Sequence, residues 1–369
     1  MTAWLGTIDR RMRARGGLGA LVIVLVALMA SLSVSTGSAS NRPTCFGKQA
    51  TIVGTDHDDK ISGTAHRDVI AAQGGDDLIE ARGHKTDHGE DIVCGGGGND
   101  KIAGNTDRET LIGGPGNDVV TAGNGNDLIV GDNANPRGGE SGKAGNDHLA
   151  GAGGADFMVG DNYGSGDVSG AHADRDQRAG GGPDIVIGDN AAIGSGDATG
   201  GASDRMGGAS GNDLVIGDSY ARGGTATGGG NDDNNSGPGK DLAVGDSYSA
   251  RGRAIGGGND KVHAADGGDA GAKCAQGACD DVFYGDSYVA SCGPKHKLKA
   301  ILCQARMTSG GGFDLLNTDQ GSDFMNGGLP NNLDATGKRR DRCAGGSARD
   351  FSVQCEYNYR NTEVRIHLP

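Results

Sequence analysis

A phrase of nine residues constrains this chain more than any other feature. Residues 113–130 read GGPGNDVVTAGNGNDLIV, two phrases end to end, each with early glycines, Asp at the sixth place and an aliphatic residue at the eighth. The same frame begins at Cys45 with CFGKQATIV, GTDHDDKIS, GTAHRDVIA and AQGGDDLIE, skips ARGHK, and resumes with TDHGEDIVC, GGGGNDKIA and GNTDRETLI. Nine phrases therefore hold one register across residues 45–130. The sixth place carries Asp59, Asp68, Asp77, Asp91, Asp100, Glu109, Asp118 and Asp127. The eighth carries Ile52, Ile61, Ile70, Ile79, Val93, Ile102, Leu111, Val120 and Ile129. A short fixed period of this kind marks a chain that stacks on itself as a solenoid.

Each part of the phrase has a physical reason. Glycines supply tight and left-handed turns that other residues resist. The aliphatic residue occupies a three-residue strand and points inward, its neighbours outward. Two phrases make one turn of a flattened coil. Asp100 and Asp118 then share one edge, and Asp91, Glu109 and Asp127 the other. Carboxylates stacked at about 4.8 Å repel strongly unless a cation lies between them. Hard oxygen ligands from acids and turn carbonyls suit Ca²⁺, which accepts flexible geometry, better than Mg²⁺, which demands a tight octahedron.

These residues resemble the RTX, or haemolysin-type, calcium-binding repeat GGxGxDxUx, which GGPGNDVVT and GGGGNDKIA match at every place. With interruptions the resemblance spans about residues 45–356. It implies an all-β fold, a right-handed parallel β-roll or β-helix solenoid, with rows of calcium ions along both edges. RTX toxins typically leave the cell by an uncleaved C-terminal signal, whereas this chain carries an N-terminal one, so the resemblance extends to calcium and not to toxin action.

From residue 131 a second period appears. Aliphatic strands now end in Gly-Asp, placing Asp132, Asp161, Asp189, Asp218, Asp246 and Asp286 at intervals of 29, 28, 29, 28 and 40 residues. Phrases TGGASDRMG and GASGNDLVI are followed by the ten residues GDSYARGGTA, and TGGGNDDNN and SGPGKDLAV by GDSYSARGRA. Each turn thus carries one arm of about ten residues, and arms inserted at one place per turn emerge from one edge. The strands before them are apolar at the seventh and ninth places too, as in Leu214-Val215-Ile216. Tyr163, Tyr220, Tyr248 and Tyr288 recur in the arms and are placed to cover that stripe; a partner is the alternative cover. Continuing the sixth-place frame adds Asp147, Asp156, Asp184, Asp204, Asp213, Asp232, Asp241, Asp260, Asp281, Asp314 and Asp323 to the expected calcium ligands.

The remaining features set organisation and context. Residues 1–39 carry Arg10, Arg11, Arg13 and Arg15, then the apolar run Leu18 to Ala30 and small residues Gly37-Ser38-Ala39, the pattern of a cleaved signal peptide. The run is shorter than the ~20 residues of a membrane span, so membrane contact is expected only through that segment if it is retained. Beyond it we delimit an N-terminal module at 45–130, a central arm-bearing module at 131–308 and closing turns with a cap at 309–369. Without residues 1–39 the chain has 30 basic and 47 acidic side chains, a net charge of −17 against −14 for the whole. That balance disfavours nucleic acid and favours cations. Gly contributes 73 of 369 residues and aromatics 4%, a composition that leaves a chain loose unless something besides an apolar core stabilises it.

All eight cysteines lie beyond residue 39, which reads as disulfides in an exported chain. Short separations pair Cys274 with Cys279, Cys292 with Cys303 and Cys343 with Cys355, leaving Cys45 with Cys94. Zinc at Cys274 and Cys279 is disfavoured by the lack of a second ligand pair. The last arm, 285–308, carries Lys295, Lys297, Lys299 and Arg306 and reads as a stapled loop, with a knob for an acidic surface as the sharper alternative. No GxSxG, HExxH or GxxxxGK[ST] occurs, and His84 and His88 beside Asp87 read as a solvated loop before a metal site. The expectation is a secreted, non-catalytic calcium-binding repeat protein with a cell-surface or matrix partner; a calcium-stabilised adhesin for ice or polysaccharide comes second, and a secreted hydrolase third.

Overall fold

The computed structural model describes residues 42–83, 89–170 and 176–264, and beyond them residues 282–284, 288–289, 308–309, 314–317, 324–326, 342–344, 350–353, 357–359 and 362–366. Among these residues every regular element is a strand. All the strands lie in one compact unit, Pro43–Pro369. Among the described residues no helix is long and apolar enough to cross a membrane; the apolar run of residues 18–30 lies outside them.

Successive phrases alternate between two long parallel sheets. The first runs from Ile52–Val53 through Val69–Gly74, Asp91–Gly97, Glu109–Ile112 and Leu128–Val130 to Thr362–Ile366, thirteen strands among the described residues. The second runs from Lys60–Ser62 through Leu78–Glu80, Lys101–Ala103 and Val119–Gly125 to Tyr357–Tyr359, twelve strands. Register follows the phrase: Lys60 pairs with Leu78, Leu78 with Lys101 and Lys101 with Val119. This is a parallel β-roll solenoid, two phrases per turn. The eighth-place residues face one another between the sheets, and Ile70, Ile79, Val93, Leu111, Val120, Ile129, Met158, Val186 and Val215 form one continuous buried core. A core one side chain thick, rebuilt by every turn, is what a nine-residue phrase with one inward aliphatic can make.

The arms form their own stack. One short parallel sheet begins with Ala134–Asn135, Tyr163–Gly164 and Ala191–Ala192, and another with Glu140–Ser141, Val168–Ser169 and Ala198–Thr199. A small core of Val168, Ala192, Ala198, Ala221 and Ala226 fills the space between them. The arms also cover the outer face of the first sheet. Ninth-place Val159, Ile187 and Ile216 are fully buried against Ala191, with Tyr163, Tyr220 and Tyr248 packed beside them. Tyr220 stacks on Tyr248 at 5.5 Å, and Phe157 meets Tyr163 edge-on at 6.1 Å. The covering role expected of the arm tyrosines is therefore present at these three; the side chain of Tyr288 lies outside the described residues.

The N-terminal end departs from the sequence expectation. CFGKQATIV does not form a regular half-turn: Thr44–Cys45 and Lys48–Gln49 make an antiparallel hairpin, and only Ile52–Val53 joins the first sheet. The hairpin lies on the outside of that sheet, with Cys45 and Ala50 buried against Ala71 and Ile92, and Phe46 and Val69 packed beside them. Its cause is a stripe the phrase count hides. Outward residues are apolar in the phrases that feed the first sheet (Val69, Ala71, Ile92, Ile112) and mixed in those that feed the second (Lys60, Ser62, Glu80, Lys101). Cys45 and Cys94 form the expected disulfide, with Cα atoms 5.7 Å apart. Phe46 also approaches Tyr163 at 6.0 Å, so hairpin and arms cover one face between them. Cys343 is buried and disulfide-bonded; Cys274, Cys279, Cys292, Cys303 and Cys355 lie outside the described residues, as do His84 and His88 and most of the 285–308 arm.

Candidate metal centre

The sixth-place acids stand in two columns, one along each edge of the roll. Each carboxylate spends one oxygen on the backbone of the preceding turn. The N–H of Asp59 donates to Asp77 Oδ1 at 2.8 Å, that of Asp77 to Asp100 at 2.8 Å, Asp100 to Asp118 at 2.7 Å and Asp118 to Asp147 at 2.7 Å. The column resumes with Asp204 to Asp232, Asp232 to Asp260 and Asp260 to Asp314. On the opposite edge Asp68 donates to Asp91, then Glu109 to Asp127, Asp127 to Asp156, Asp156 to Asp184, Asp184 to Asp213 and Asp213 to Asp241. Each acid thus fixes the turn before it, a role the sequence does not announce. Of the described acids expected as ligands, all but Asp59 are buried. Asp281 and Asp323 lie outside the described residues.

The second oxygen is where the chemistry lies. Asp77, Asp100, Asp118, Asp127, Asp156, Asp184, Asp213 and Asp232 each bury an Oδ2 that has no hydrogen-bond partner. An ionised oxygen without a partner in a dry site is costly. What faces it is not a donor. A Cβ on first-place Gly113 would collide with Asp118 Oδ2 and with the carbonyl oxygen of Gly131 one turn on. Gly95 stands in the same way before Asp100 Oδ2 and Gly113 O, and Gly151 before Asp156 Oδ2 and Ala179 O. At these glycines acid and carbonyl oxygens converge on a space that a Cβ would fill; Asp77, Asp127 and Asp184 instead follow first-place Ala72, Ala122 and Ala179. Such a set of hard oxygens fits Ca²⁺.

In the uninterrupted half-turns, second-place backbone goes with whether that oxygen is presented. In eight of them the second residue is left-handed: Gln73, Gly96, Gly114, Gly123, Ala152, Gly180, Ala209 and Gly237, with φ from 67° at Ala209 to 111° at Gly96. Where the second place is Thr55, Thr64 or Asn105, its N–H instead donates to its own acid, to Asp59 Oδ2 at 2.7 Å, Asp68 Oδ2 at 2.6 Å and Glu109 Oε1 at 3.0 Å. Those turns satisfy their acids internally. Burial, with neighbouring acids adding to it, pushes Asp118 up to about 9, Glu109 and Asp213 to about 8, Asp127 to about 7, and Asp100 and Asp184 to about 6. Hydrogen bonds from backbone N–H groups oppose the rise in each case and do not cancel it. Columns of acids in this environment call for a proton or a metal ion at neutral pH.

The arms enter the frame two residues later than the phrase count puts them. A Cβ on Gly131 would meet Asp147 Oδ2 and Gly160 O, on Gly188 Asp204 Oδ2 and Gly217 O, and on Gly217 Asp232 Oδ2 and Gly245 O. That is the environment of Gly113, so Gly131, Gly188 and Gly217 are first-place residues of the roll. Asp132, Asp189 and Asp218 then hold the second place, and each arm is inserted inside a phrase rather than between two. The recurring Gly-Asp was visible in the sequence; its place in the frame was not, because the arm separates it from its own sixth-place acid.

A parallel roll with two columns of buried carboxylates, each aimed at carbonyl oxygens of the next turn, defines a cation-binding repeat protein. The family model for the RTX calcium-binding nonapeptide repeat (4 copies) matches residues 51–83, 86–102, 103–136, 141–162 and 306–332. The chain thus carries RTX calcium-binding nonapeptide repeats, and repeats of this family bind Ca²⁺. Between the matched segments the same two sheets continue unbroken in register through Ile185–Ile187, Leu214–Ile216 and Leu242–Val244. No curated protein and no solved structure matches the chain.

Proposed function

We propose that this protein is exported, folds when it meets millimolar calcium outside the cell, and serves there as a non-catalytic structural or surface-interaction module. The observation that carries the proposal is the set of buried, unpartnered Oδ2 atoms held in register with first-place carbonyls. The ligands we assign are the sixth-place acids whose second oxygen opens onto that space, with Asp118, Asp100, Asp156, Asp213 and Asp232 foremost. Bound Ca²⁺ supplies the positive charge that lets these acids stay ionised at one strand spacing. Affinity per site is weak, on the order of 10⁻⁴–10⁻³ M, as in extracellular modules. Export rests on residues 1–39, and a surface or matrix partner on the repetitive outer faces. A calcium titration of the chain lacking residues 1–39, followed by far-UV circular dichroism and equilibrium dialysis, tests the reading. Cooperative gain of β-signal with Ca²⁺, and much less with Mg²⁺, is expected. Dichroism unchanged by EGTA, together with no calcium retained on dialysis, would refute it.

A further inference from the structure

The edge from which the arms leave is chemically unlike the opposite edge. In the arm-bearing turns it holds two columns of acids instead of one. Beside the sixth-place column of Asp147, Asp204, Asp232 and Asp260 runs the second-place column of Asp132, Asp161, Asp189, Asp218 and Asp246, every member fully buried. The two columns are tied together in the same way in four turns. The N–H two residues before each sixth-place acid donates to the second-place acid: Gly145 to Asp132 at 3.1 Å, Ala202 to Asp189 at 3.2 Å, Gly230 to Asp218 at 3.1 Å and Gly258 to Asp246 at 3.0 Å.

At the Asp218–Asp232 level both carboxylate oxygens of Asp218 accept the Gly230 N–H, at 3.1 and 3.4 Å. Asp232 Oδ2 is buried and has no partner. It opens onto the space left by Gly217 and shares that space with Gly245 O. Asp218 follows Gly217 directly in the chain, and its carboxylate is packed so closely that a Cβ on Gly228 would strike it. Burial raises Asp218 and Asp232 well above the carboxylate range, and Asp232, Asp246 and Asp189 raise Asp218 further.

We propose that the second-place acids are ligands, and that each arm-bearing turn holds a divalent cation between two carboxylates, Asp132 with Asp147, Asp189 with Asp204 and Asp218 with Asp232. The proposal rests on the calcium reading above and extends it to residues outside the nonapeptide acids. It also gives the arms a second purpose. Insertion after the second place puts an acid where an uninterrupted half-turn has a left-handed residue, and the arm then closes over it. More ligand charge in a more enclosed site gives tighter calcium binding, so this edge fills at lower calcium than the single-acid edge.

Equilibrium dialysis against calcium tests the assignment. Three triple variants of the chain lacking residues 1–39 are compared with the parent: Asp132→Asn/Asp189→Asn/Asp218→Asn, Asp147→Asn/Asp204→Asn/Asp232→Asn, and the two combined. Asn keeps the size and the acceptor oxygen that the N–H groups use, and removes the charge. The second-place triple is expected to lose about three ions per chain, and the combined variant no more than either triple, because the acids share sites. A second-place triple that keeps the parent's stoichiometry overturns the proposal and leaves the calcium reading standing; a parent that binds no calcium overturns both. If the triple variants fail to fold, a calcium-bound structure of the parent decides. A cation at about 2.3–2.6 Å from oxygens of both Asp218 and Asp232 supports the proposal. A cation on Asp232 alone, with Asp218 bound only to the Gly230 N–H, overturns it.

Discussion

Replacing Asp118 by Asn should raise stability without calcium and shrink the stabilisation that calcium brings. Asp118 is 1% exposed; its Oδ1 accepts the N–H of Asp100 and its Oδ2 has no partner. Burial first, and the charges of Asp147, Asp100 and Asp132 after it, raise its pKa from 3.8 to about 9. In the metal-free fold at pH 7.4 the acid must hold a proton that the unfolded chain has released. At 1.36 kcal/mol per pH unit between 3.8 and 7.4, that costs the fold on the order of 5 kcal/mol. Asn keeps the acceptor for Asp100 and removes the cost, so the variant should be more stable than the parent in EGTA. Calcium narrows the difference. A site with a dissociation constant of about 10⁻⁴–10⁻³ M in 10 mM Ca²⁺ adds roughly 1.4–2.7 kcal/mol, and the variant forfeits most of that increment. Urea unfolding followed by far-UV dichroism, in EGTA and in 10 mM calcium, measures both terms, with exposed Asp56→Asn as control. A variant less stable than the parent in EGTA, or one with the parent's full calcium increment, would refute the reasoning.

The remaining predictions concern pH, the turn backbone and the arms. The folded-state pKa values of Asp118, Asp213 and Asp127 are raised, so their contribution to the metal-free fold is fully present below about pH 4 and is lost as pH rises toward about 9, 8 and 7. In EGTA the β-signal should therefore return on acidification from pH 8 to about pH 5; a metal-free chain equally unfolded at both would count against the buried columns. Gly114 is left-handed and faces Gly96 O, so Gly114→Ala should cost at least ~1–2 kcal/mol in calcium. Ala209→Gly relieves a left-handed alanine and should gain about 1 kcal/mol, both read as shifts in urea midpoint. Tyr220→Ala removes a ring packed over Leu214 and Ile216 and should cost ~1–2 kcal/mol while raising binding of a hydrophobic dye; unchanged stability and dye signal would mean that the arms do not hold that stripe closed.

The roll itself was legible because its two signals are strictly local. An inward aliphatic at the eighth place and an acid at the sixth recur at a fixed distance, and both proved to be inside and at the edges respectively. Three things were not legible, each because it depends on residues one turn away. The N–H of one acid meets the carboxylate of the next turn, a contact that the five-residue gap and the arms spread over separations of 18 to 54 residues. The hairpin at Thr44–Gln49 resembled a phrase because Ile52 keeps the frame; what excludes it from the roll is the apolar stripe of Ile92 and Ala71 that needs cover, and that stripe appears only when alternate phrases are compared. The second-place aspartates were seen as strand punctuation, since the arm hides that Asp218 accepts the N–H of Gly230, two residues before Asp232.

Nothing in the phrase obliges the acids to be inside. A carboxylate at the end of a three-residue strand could be turned to water, and a chain with 73 glycines would lose little order by doing so. What prevents it is the first hydrogen bond. Once Asp118 Oδ1 takes the N–H of Asp100, the carboxylate lies in the plane of the turn and its second oxygen has no route to solvent. Where Thr55 or Thr64 offers an N–H instead, the oxygen is satisfied and the turn closes without help. Left-handed Gly114 or Gly123 leaves no such N–H hydrogen-bonded to the acid, and the oxygen stays unpartnered. Among uninterrupted half-turns the two kinds differ in the second-place residue, left-handed in one and donating its N–H to the acid in the other. Self-closing turns lie toward the N-terminal end, at Asp59, Asp68 and Glu109, where they are interleaved with unpartnered oxygens at Asp77 and Asp100; from Asp118 to Asp232 unpartnered oxygens continue. Because each turn of a solenoid is stabilised mainly by its neighbours, the self-closing turns and the Cys45–Cys94 staple at that end give the cation-dependent turns beside them a template on which to fold.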